Sequence, residues 1–506
     1  MAVDPNQILA ITQPKLEIRR ISHLNVDEIN EVNPEAGNNS SVQTTAGFLV
    51  PYVEVDNYII PNGKLLSLSI NQSGFLPELT MSFMDVTGAF SGMYFPRTNP
   101  ILKLYIKSLA PAIKPIRSDF LITNITSSEM GNSYGSQTIE TIYTVSAKLF
   151  VPGLYGNFVQ SIPNKKSWEA LKQIADSLKL GFATNETSTD DAMTWINPND
   201  TVENFIKSIC SRAYKNDKSF FDCFIDVNYI LTFINYEKAL SKDTKPMQTP
   251  IGADIFQYAD LTGPNKNVTQ DDKPREEGTT DIVLTTSLDS SRTGFHIAHY
   301  AMYSNHGEVL ANQNFRKKVL WHDRANYTST KKPFEFYIEP LSEKTINSKE
   351  TVYQKPKLKT FETESASRWL GIDYNNNHTH YKFSRLLNQH NVSELEKNYL
   401  VVKLPGVVQA VHRGAKLSVL ITRLVSSEQD GMRTDTKFED RPESLSGSRE
   451  KPDLYTSGPY IVKDIRYEYD AAPQSSQLRY STELVLVRRE WIEIGEDNKL
   501  ASEKNN

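Results

Sequence analysis

The sequence predicts a mainly β protein of the α+β class, and three observations indicate this. Short apolar runs that alternate with polar residues recur over residues 58–150, with turn residues between them. A second set of such runs lies within residues 403–487. Between the two sets lie two segments with apolar residues at helical spacing, followed by a hairpin pattern. We therefore expect two antiparallel β regions, a unit of two helices and a hairpin between them, and an N-terminal arm.

The first β region is predicted from alternation and turn signals. Over residues 64–71 one face carries Leu66, Leu68 and Ile70, and the other carries Ser67, Ser69 and Asn71. This alternation is typical of a half-buried antiparallel strand. Further strands are predicted at residues 58–60, 79–83, 102–106, 120–125 and 143–149. Several short strands separated by turns are typical of a sandwich or barrel.

The middle of the chain predicts two helices and a hairpin. Ser167 is a candidate cap for a helix over residues 168–180, which Gly181 ends. A second helix begins near Asp200 or Thr201, where Thr201 and Asn204 resemble a weak capping box. Its predicted buried face consists of Val202, Phe205, Ile206, Ile209 and Ala213. Two strands over residues 220–227 and 229–236, joined at Asn228, then form the hairpin.

The second β region is predicted less evenly. Strand candidates lie at residues 282–285 and 294–302, whereas residues 321–367 lack periodicity and predict an irregular segment or a long crossover. A helix is expected within residues 375–395, with Tyr381, Leu386, Leu387 and His390 on one side. Pro405-Gly406 then predicts a turn that opens a strand over residues 407–412. The remaining predicted strands are residues 417–421, 460–469 and 478–487.

Three polar segments leave their roles open. Residues 1–47 predict an extended arm with one short strand over 15–21, which is either a flexible leader or an arm that clasps a neighbouring subunit. Residues 263–278 predict a surface loop. Residues 426–457 carry few apolar side chains, and so long a loop in a compact barrel indicates either a docking loop or a solvated insertion.

Composition excludes several classes of function. The 506 residues carry a net charge of −5, which argues against nucleic-acid binding as the main activity. No run of about 20 apolar residues predicts a membrane-spanning segment, and the N-terminal residues do not read as a secretory signal. Cys210 and Cys223 form no Cys-x-x-Cys pair, so we expect two buried thiols, with a disulfide between them as the alternative.

A search for catalytic and metal-binding motifs gives no candidate site. The sequence has no nucleophile elbow, no His-Glu-x-x-His helix and no phosphate-binding loop. His378 and His380 could bind a metal with Asp373, and His296 and His299 lie three residues apart. We interpret both groups as polar residues without a metal. We therefore expect no catalytic residue, no cofactor and no stoichiometric metal.

Short runs along the chain carry a resemblance to a known family. They are SINQSGFLP at residues 69–77, FMD at 83–85, YIKS at 105–108 and PIRSDF at 115–120. In this order they resemble the first barrel of the central baseplate hub of contractile-tailed bacteriophages, of the T-even type. That family is related in fold to the spike-base proteins of type VI secretion and other contractile injection systems.

Later parts of the chain are similar to the same family. The run MTWIN at residues 193–197 and the run FIDVNYILTF at residues 224–233 resemble the hub's α/β middle domain. LPG at residues 404–406 and GAKL at residues 414–417 match the order in which a helix leads into the second barrel. The final strand resembles the closing hairpin of the family.

The resemblance implies a division of the chain into six segments. They are an N-terminal arm (1–47), a first hub β-barrel (48–152), an α/β domain (153–245), a partly irregular region that adds strands to the second barrel and loops to the α/β domain (246–375), a helix with the second hub β-barrel (376–492), and a C-terminal tail (493–506).

The resemblance also implies a structural function in the virion. A homotrimer would place six similar barrels in a pseudo-sixfold ring, which joins a threefold spike to a sixfold tail tube. The implied partners are the tail spike protein, the tail tube or tube-initiator proteins and the baseplate wedge proteins. Genomic DNA would pass through the channel without specific binding. The implied location is the tail baseplate, assembled in the host cytoplasm.

The residues leave a second class of function open, namely a tail-associated cell-wall hydrolase or a glycan- or receptor-binding virion protein. Trp321, Tyr327, Phe334 and Tyr337 could line a sugar site, or they could form a small local core under a loop. A hydrolase would need an acid whose position is set by burial, and we find no compact helical domain that would supply one.

Overall fold

The computed structural model describes the residues from 9 to 488 in separate stretches. These are 9–16, 50–56, 58–61, 63–97, 100–107, 115–130, 140–241, 244, 246–250, 279–286, 294–305, 317–323, 334–338, 360–366, 377–392, 395, 398–409, 411–425, 449–453, 456–471 and 479–488. The described chain consists mainly of strands with a few short helices, which confirms the predicted fold class. The predicted loop at 263–278 and the tail at 493–506 lie outside these residues, as does most of the segment 426–457.

The elements follow in chain order. The first β region contains β1 (Leu9–Thr12), β2 (Tyr52–Val55), β3 (Tyr58–Ile59), β4 (Leu65–Gln72), β5 (Glu78–Asp85), a π-helical turn (Phe90–Tyr94), β6 (Ile101–Ile106), β7 (Ile116–Met130) and β8 (Glu140–Leu149). The middle contains β9 (Asn157–Lys165), α1 (Ser167–Ser177), β10 (Gly181–Thr184), β11 (Met193–Thr201), α2 (Val202–Arg212), β12 (Phe221–Ile225), β13 (Ile230–Asn235) and α3 (Tyr236–Leu240).

The remaining elements complete the chain. They are β14 (Gln248–Pro250), β15 (Thr279–Asp281), β16 (Val283–Thr285), β17 (Gly294–His296), β18 (His299–Ser304), β19 (Lys317–Asp323), β20 (Phe334–Ile338), β21 (Thr360–Ala366), α4 (Tyr381–Val392), β22 (Asn398–Pro405), β23 (Lys416–Leu420), β24 (Thr422–Val425), β25 (Arg449–Pro452), β26 (Gly458–Asp470) and β27 (Tyr480–Val487).

Strand β26 joins two halves of a sheet that has 14 strands in the described part of the chain. On one edge β26 pairs first with β23 and then, after a bulge between Val462 and Asp464, with β4. Its other edge pairs with β27. The first half then runs β4-β5-β8-β7-β6-β2-β3, and the second half contains β16, β17, β18, β22, β23 and β27. A bulge is the ordinary way for a strand to bend and change partners.

The first half confirms most of the predicted strands, but it corrects the prediction of which β4 residues face the core. Leu68 and Ile70 are buried and Ser67 is exposed, as predicted. Leu66, however, lies in a bulge, because Leu65 pairs with Phe83 and Ser67 pairs with Ser82. Leu65 therefore takes the buried position that alternation assigned to Leu66.

The second half closes through the kinked segment 294–304. Its first part, β17, pairs with β16, and its second part, β18, pairs with β22. At the kink, the Ile297 amide donates to Thr285 O at 2.7 Å and the next amide, of Ala298, donates to Lys403 O at 2.9 Å. Consecutive amides thus donate to two different neighbouring strands. The second half therefore closes on itself, because its strands pair in the order β17, β16, β23, β26, β27, β22 and β18.

The predicted strand over residues 407–412 is wrong. The strand is β22, which precedes the Pro405-Gly406 turn, and the chain then crosses the end of the second half. Val407, Val408 and Val411 are all buried, so their apolar pattern reflects a buried crossing and not a pleated strand. The crossing is held by the Val408 amide, which donates to Thr482 Oγ1 at 2.9 Å.

The middle unit contains a four-stranded sheet in the order β1-β10-β13-β12, in which β10 and β13 are parallel. Both predicted helices and the hairpin are confirmed, and Thr201 caps α2 by accepting from the Asn204 amide. Ser167 is not the cap of α1. It is the first helical residue, and its amide donates to the buried Asp191 carboxylate at 3.0 Å.

The first strand in the described chain is β1. Lys15 and Leu16 of the predicted strand 15–21 are not in a strand, and the rest of that prediction lies outside the described residues. Strand β1 pairs antiparallel with β10. Gly181 makes this possible, because a Cβ there would lie 2.9 Å from Thr12 O and 3.0 Å from Pro14 Cδ.

Residues 321–367 are not irregular where the structure describes them. They contribute to a three-stranded sheet in the order β20-β19-β21. The strand β21 carries Glu362 and Glu364, and such a polar sequence resembles a loop when it is considered alone. The predicted helix after it is confirmed as α4, whose buried face includes Leu387 and His390.

Arg413 lies where the two halves of the sheet and the middle unit meet. Its side chain is 4% exposed. Nε donates to Lys463 O at 2.8 Å in the bulge of β26, and Nη1 donates to Gly74 O at 2.8 Å in the turn between β4 and β5. A third bond runs from Nη2 to Ser73 O at 3.3 Å. One guanidinium therefore ties the second half to the first.

The same guanidinium also contacts the middle unit. It lies 3.8 Å from the centre of the Phe224 ring, which belongs to β12. Nη2 is 3.8 Å from Asp222 Oδ2 and 3.8 Å from Asp464 Oδ1. Burial raises the pKa of the Asp464 carboxyl, and the neighbouring Arg413 charge acts against that rise. Three parts of the fold thus share one buried cation.

We expect Arg413→Met to destabilise the protein by roughly 3–5 kcal/mol, because three backbone carbonyls and the half-buried Asp464 carboxylate would lose their partner. Arg413→Lys should recover only part of this loss, since an ammonium cannot reproduce the planar fork. Urea unfolding followed by tryptophan fluorescence measures the change.

The matched control is Arg466→Met, whose side chain is 46% exposed and should contribute less than about 1 kcal/mol. Equal losses for the two methionine variants would contradict a special role for Arg413.

Candidate functional site: a polar face across the sheet

A continuous polar face crosses the join between the two halves of the sheet. It arises from alternation, because every second residue of β4, β5, β26 and β22 points away from the core. The core side of the same strands is apolar and buried, as Ile70, Leu79 and Tyr467 show. The polar face therefore needs no special backbone geometry, only a register that aligns the polar positions.

The register aligns one straight row of polar side chains across six strands. Each residue pairs directly with the next in the order Lys148, Glu78, Asn71, Arg466, Glu483 and Lys403. Opposite charges alternate along this row. Directly paired residues on one face of a sheet lie close enough for such charges to stabilise each other.

Glu468 is the centre of the face. Its Oε2 accepts from Lys403 Nζ at 2.8 Å and from Ser481 Oγ at 3.3 Å. Its Oε1 lies 3.1 Å from Arg466 Nε, which also donates to Ser69 Oγ at 2.9 Å. These bonds connect β4, β22, β26 and β27, so they cross the join between the two halves.

Partial burial acts to raise the pKa of Glu468, but the hydrogen bond from Lys403 and the charges of Lys403 and Arg466 outweigh it. The pKa of this carboxyl is therefore held below its ordinary value of 4.5. Glu468 is consequently ionised at neutral pH and fully engaged. It does not resemble a carboxylic acid kept protonated for catalysis.

The face contains a groove of about 630 Å³. Its lining residues come from both halves: Ser67, Leu68, Ser69, Asn71, Glu78, Thr80, Lys403, Arg466, Glu468, Tyr469, Asp470 and Ser481. Positive and negative groups are interspersed and mostly paired, so the groove offers no concentrated charge to an anion or a cation. Within the described stretches no group of three or more His, Cys, Asp and Glu side chains could hold a metal ion.

The histidines that the sequence singled out pack in the middle unit. His378 is buried, its ring lies 6.3 Å from that of Trp195, and burial, together with the His380 charge, lowers the pKa of His378 to about 3. The His380 ring stacks on Tyr214 at 3.8 Å, and its Nε2 is 3.4 Å from Asp190 Oδ2. Asp373 lies outside the described residues.

The second histidine pair is separated by the kink at 297–298. His296 ends β17, and burial lowers its pKa, whereas His299 begins β18 and is exposed opposite Lys403. The two cysteines are free and buried, as expected. A hydrogen bond with Cys223 and burial raise the pKa of the Cys210 thiol.

The aromatic residues considered for a sugar site lie in the three-stranded sheet. Trp321 of β19 pairs directly with Phe334 of β20, and Tyr337 lies further along β20 opposite Lys318. Tyr327 lies outside the described residues. None of the helices in the described stretches is long and apolar enough to cross a membrane.

Sequence reasoning did not find the charged row, Glu468 or Arg413. The alternation that locates Ser67, Ser69 and Asn71 on one face was visible, but the register that sets them beside Arg466 and Glu468 was not. A search for alternating strands with charges at the outward positions could have nominated Lys403, Arg466 and Glu468 as a group.

Comparison with known proteins gives structural neighbours only. No family model and no curated protein sequence matches the chain. Among solved structures, the chain is similar to the tail protein from Neisseria meningitidis MC58, at 10% identity and a TM-score of 0.44, with 87% of this chain and 97% of that chain covered.

Two further structures are similar at the same level. For the 43 kDa tail protein of prophage MuSo2 from Shewanella oneidensis, identity is 8% and the TM-score is 0.43, with 87% and 98% of the chains covered. For the half-lidded Francisella PdpA-VgrG complex, identity is 8% and the TM-score is 0.37, with 88% and 59% covered. Likeness at this level carries no argument about what this chain does.

We expect Glu468→Gln to flatten the acid limb of the stability profile. The pKa of Glu468 is lowered in the folded state, so its stabilisation is present above pH 4.5 and is lost as the pH falls through the folded pKa. At pH 7 the variant should be less stable by roughly 0.5–1 kcal/mol, and this difference should shrink below pH 4.5. Thermal unfolding over a pH series measures it.

Glu78→Gln is the matched control, because Glu78 is 55% exposed and its ion pair with Lys148 is exposed as well. If the difference in stability between Glu468→Gln and the wild type stays constant with pH, the lowered pKa assigned to Glu468 is wrong.

Proposed function

We propose that this chain is a structural protein of a contractile tail and forms the central hub of its baseplate. The observation that carries the proposal is the shared strand β26, through which two β units of one chain form one sheet with one continuous polar face. The resemblance of the runs at residues 69–77, 83–85, 105–108 and 115–120 to the first hub barrel supports the same function.

In the proposed assembly each chain contributes two β units. Three copies around an axis would present six β units, so the assembly would offer threefold symmetry to a spike and approximate sixfold symmetry to a tube. Closed rings of this kind use the same interface three times. In this proposal the spike binds on one side, the tube or tube-initiator proteins bind on the other, and the wedge proteins bind around the ring.

The polar face would line the channel. Its alternating, paired charges give a conduit wall that neither repels nor holds a polyanion strongly, so genomic DNA would pass without specific binding. The middle unit and the segment 426–457 would face outward, where wedge proteins bind. No enzymatic step is part of the proposed function, and the protein would reside in the virion baseplate after assembly in the host cytoplasm.

The six segments expected from the sequence remain part of the proposal. The structure describes one pairing that bears on the proposed arm, since β1 lies within residues 1–47 and pairs with β10 of the middle unit. In the proposed arrangement the strand anchors the arm, and residues 17–49 connect it to the first β unit.

Light scattering of the purified full chain tests the proposal. We expect a mass three times the 57.4 kDa of one chain. If the free chain is a monomer, mixing it with the candidate spike protein should produce the trimer. A monomer both alone and with the spike would contradict the proposed function.

A further inference from the structure

The two cysteines lie beside each other inside the middle unit. Cys210 is in the last turn of α2, and Cys223 is the central residue of β12. Both side chains are buried, and the two thiols are close enough to share a hydrogen bond. They are free thiols and not a disulfide. The pair therefore links a helix and a strand through a contact that a covalent bond could replace.

Helix and strand periodicity explain why both thiols enter the same core. Helix α2 packs on β12. Cys223 and Ile225 belong to the large apolar core on the side of α2, whereas Phe224 between them belongs to a separate cluster. On α2, Cys210 follows Ile206 by four residues and shares its buried face. The approach of the two sulfurs is thus set by the regular structure on both sides.

Helix α4 fixes the connection between the two thiols. Asn388 Nδ2 donates to Ser211 O at 2.8 Å and to Ala213 O at 2.9 Å, where α2 ends. Asn391 Nδ2 donates to Ser219 O at 3.2 Å, just before β12. Both ends of the connection are therefore attached to one helix. Because the backbone is held on both sides, the thiols remain neighbours when the fold fluctuates.

We propose that Cys210 and Cys223 form a site of reversible oxidation, at which hydrogen peroxide converts the two thiols into one disulfide within the chain. First, one cysteine sulfur, as thiolate, attacks the peroxide, the O–O bond breaks, and a sulfenic acid and water form. The second sulfur then attacks the sulfenic sulfur, the S–S bond forms, and the hydroxyl group leaves as water with the second thiol proton. Two thiols and one peroxide give one disulfide and two waters.

Burial makes this oxidation slow but selective. The hydrogen bond with Cys223 and burial raise the pKa of the Cys210 thiol, so little of its thiolate is present at neutral pH. Peroxide is nearly as small as water and reaches a buried thiol through brief local openings, whereas a bulky maleimide needs a wider one. Once one sulfur is a sulfenic acid, the other is its nearest nucleophile. The disulfide therefore forms before a second oxygen is added.

The disulfide would tie β12 to α2 beside the Arg413 contact. Phe224 of β12 is the residue on which the Arg413 guanidinium packs, at 3.8 Å from the ring centre. The bond would thus brace the strand through which the middle unit meets the sheet. The inference concerns one chain and does not depend on the hub proposal. If that proposal holds, the host cytoplasm keeps the thiols reduced, and oxidation follows release of the virion.

Peptide mapping of the full chain tests the site. The native protein is treated with hydrogen peroxide, the excess is removed with catalase, and the chain is unfolded in urea with a maleimide and digested with trypsin. We expect peptides 208–212 and 219–238 to be joined and free of maleimide. Neither peptide contains methionine, so methionine oxidation does not obscure the result. Dithiothreitol before labelling should separate the peptides and restore both thiols.

Thermal unfolding measures the consequence of the bond. Peroxide should raise the midpoint of the transition that includes the middle unit by roughly 5 °C, because the disulfide restricts the unfolded chain. Dithiothreitol should reverse this rise. Cys210→Ser is the matched control, because it keeps a side chain of similar size but cannot form the bond. Its midpoint should be the same before and after peroxide.

Three results would overturn the inference. In the first, both thiols of the native chain survive a peroxide dose that oxidises them in the urea-unfolded chain. In the second, they proceed to sulfinic acid, and in the third they form disulfides between chains. None of these results bears on the hub proposal, since the mass of the assembly is not part of the test.

Discussion

The buried guanidinium of Arg413 is the contact on which the arrangement of the described units depends. It donates to backbone carbonyls of both halves of the sheet and packs on Phe224 of the middle unit. A buried charge is costly unless it is paired and hydrogen-bonded, so this site is stable only when all three parts are in place. The requirement makes the arrangement specific, because any one part alone would leave the cation without several of its partners.

The shared strand extends this constraint to the polar face. Arg413 binds Lys463 O at the bulge where β26 changes its partner from β23 to β4. That change aligns Glu468 with Ser69 and sets Arg466 beside Asn71. The join between the two halves and the alignment of the charged row are therefore consequences of the same local geometry. The proposed channel wall, which both halves would form, needs this continuity.

Much of the fold could be predicted because it is encoded locally. Alternation identified β4, β5, β26 and β27, and the spacing of Phe205, Ile206 and Ile209 identified α2. The errors arose where burial and regular structure are separate properties. Val407, Val408 and Val411 are buried without lying in a strand, whereas β21 is a strand with a polar sequence.

The candidate site was less predictable than the fold. Its residues come from distant parts of the chain, as Ser69 and Arg466 illustrate, and their approach depends on which strands pair and in which register. Arg413 resembled an ordinary turn residue before Gly414, because its partners Ser73 and Gly74 lie more than 300 positions away. Local pattern carries no information about such pairs.

Electron cryo-microscopy of the assembled protein, processed without imposed symmetry, shows whether the polar face lines a channel. We expect a threefold ring of six β units around a channel, with the row from Lys148 to Lys403 on the channel wall. A ring with that row on its outer surface, or an assembly without a threefold axis, would contradict this expectation.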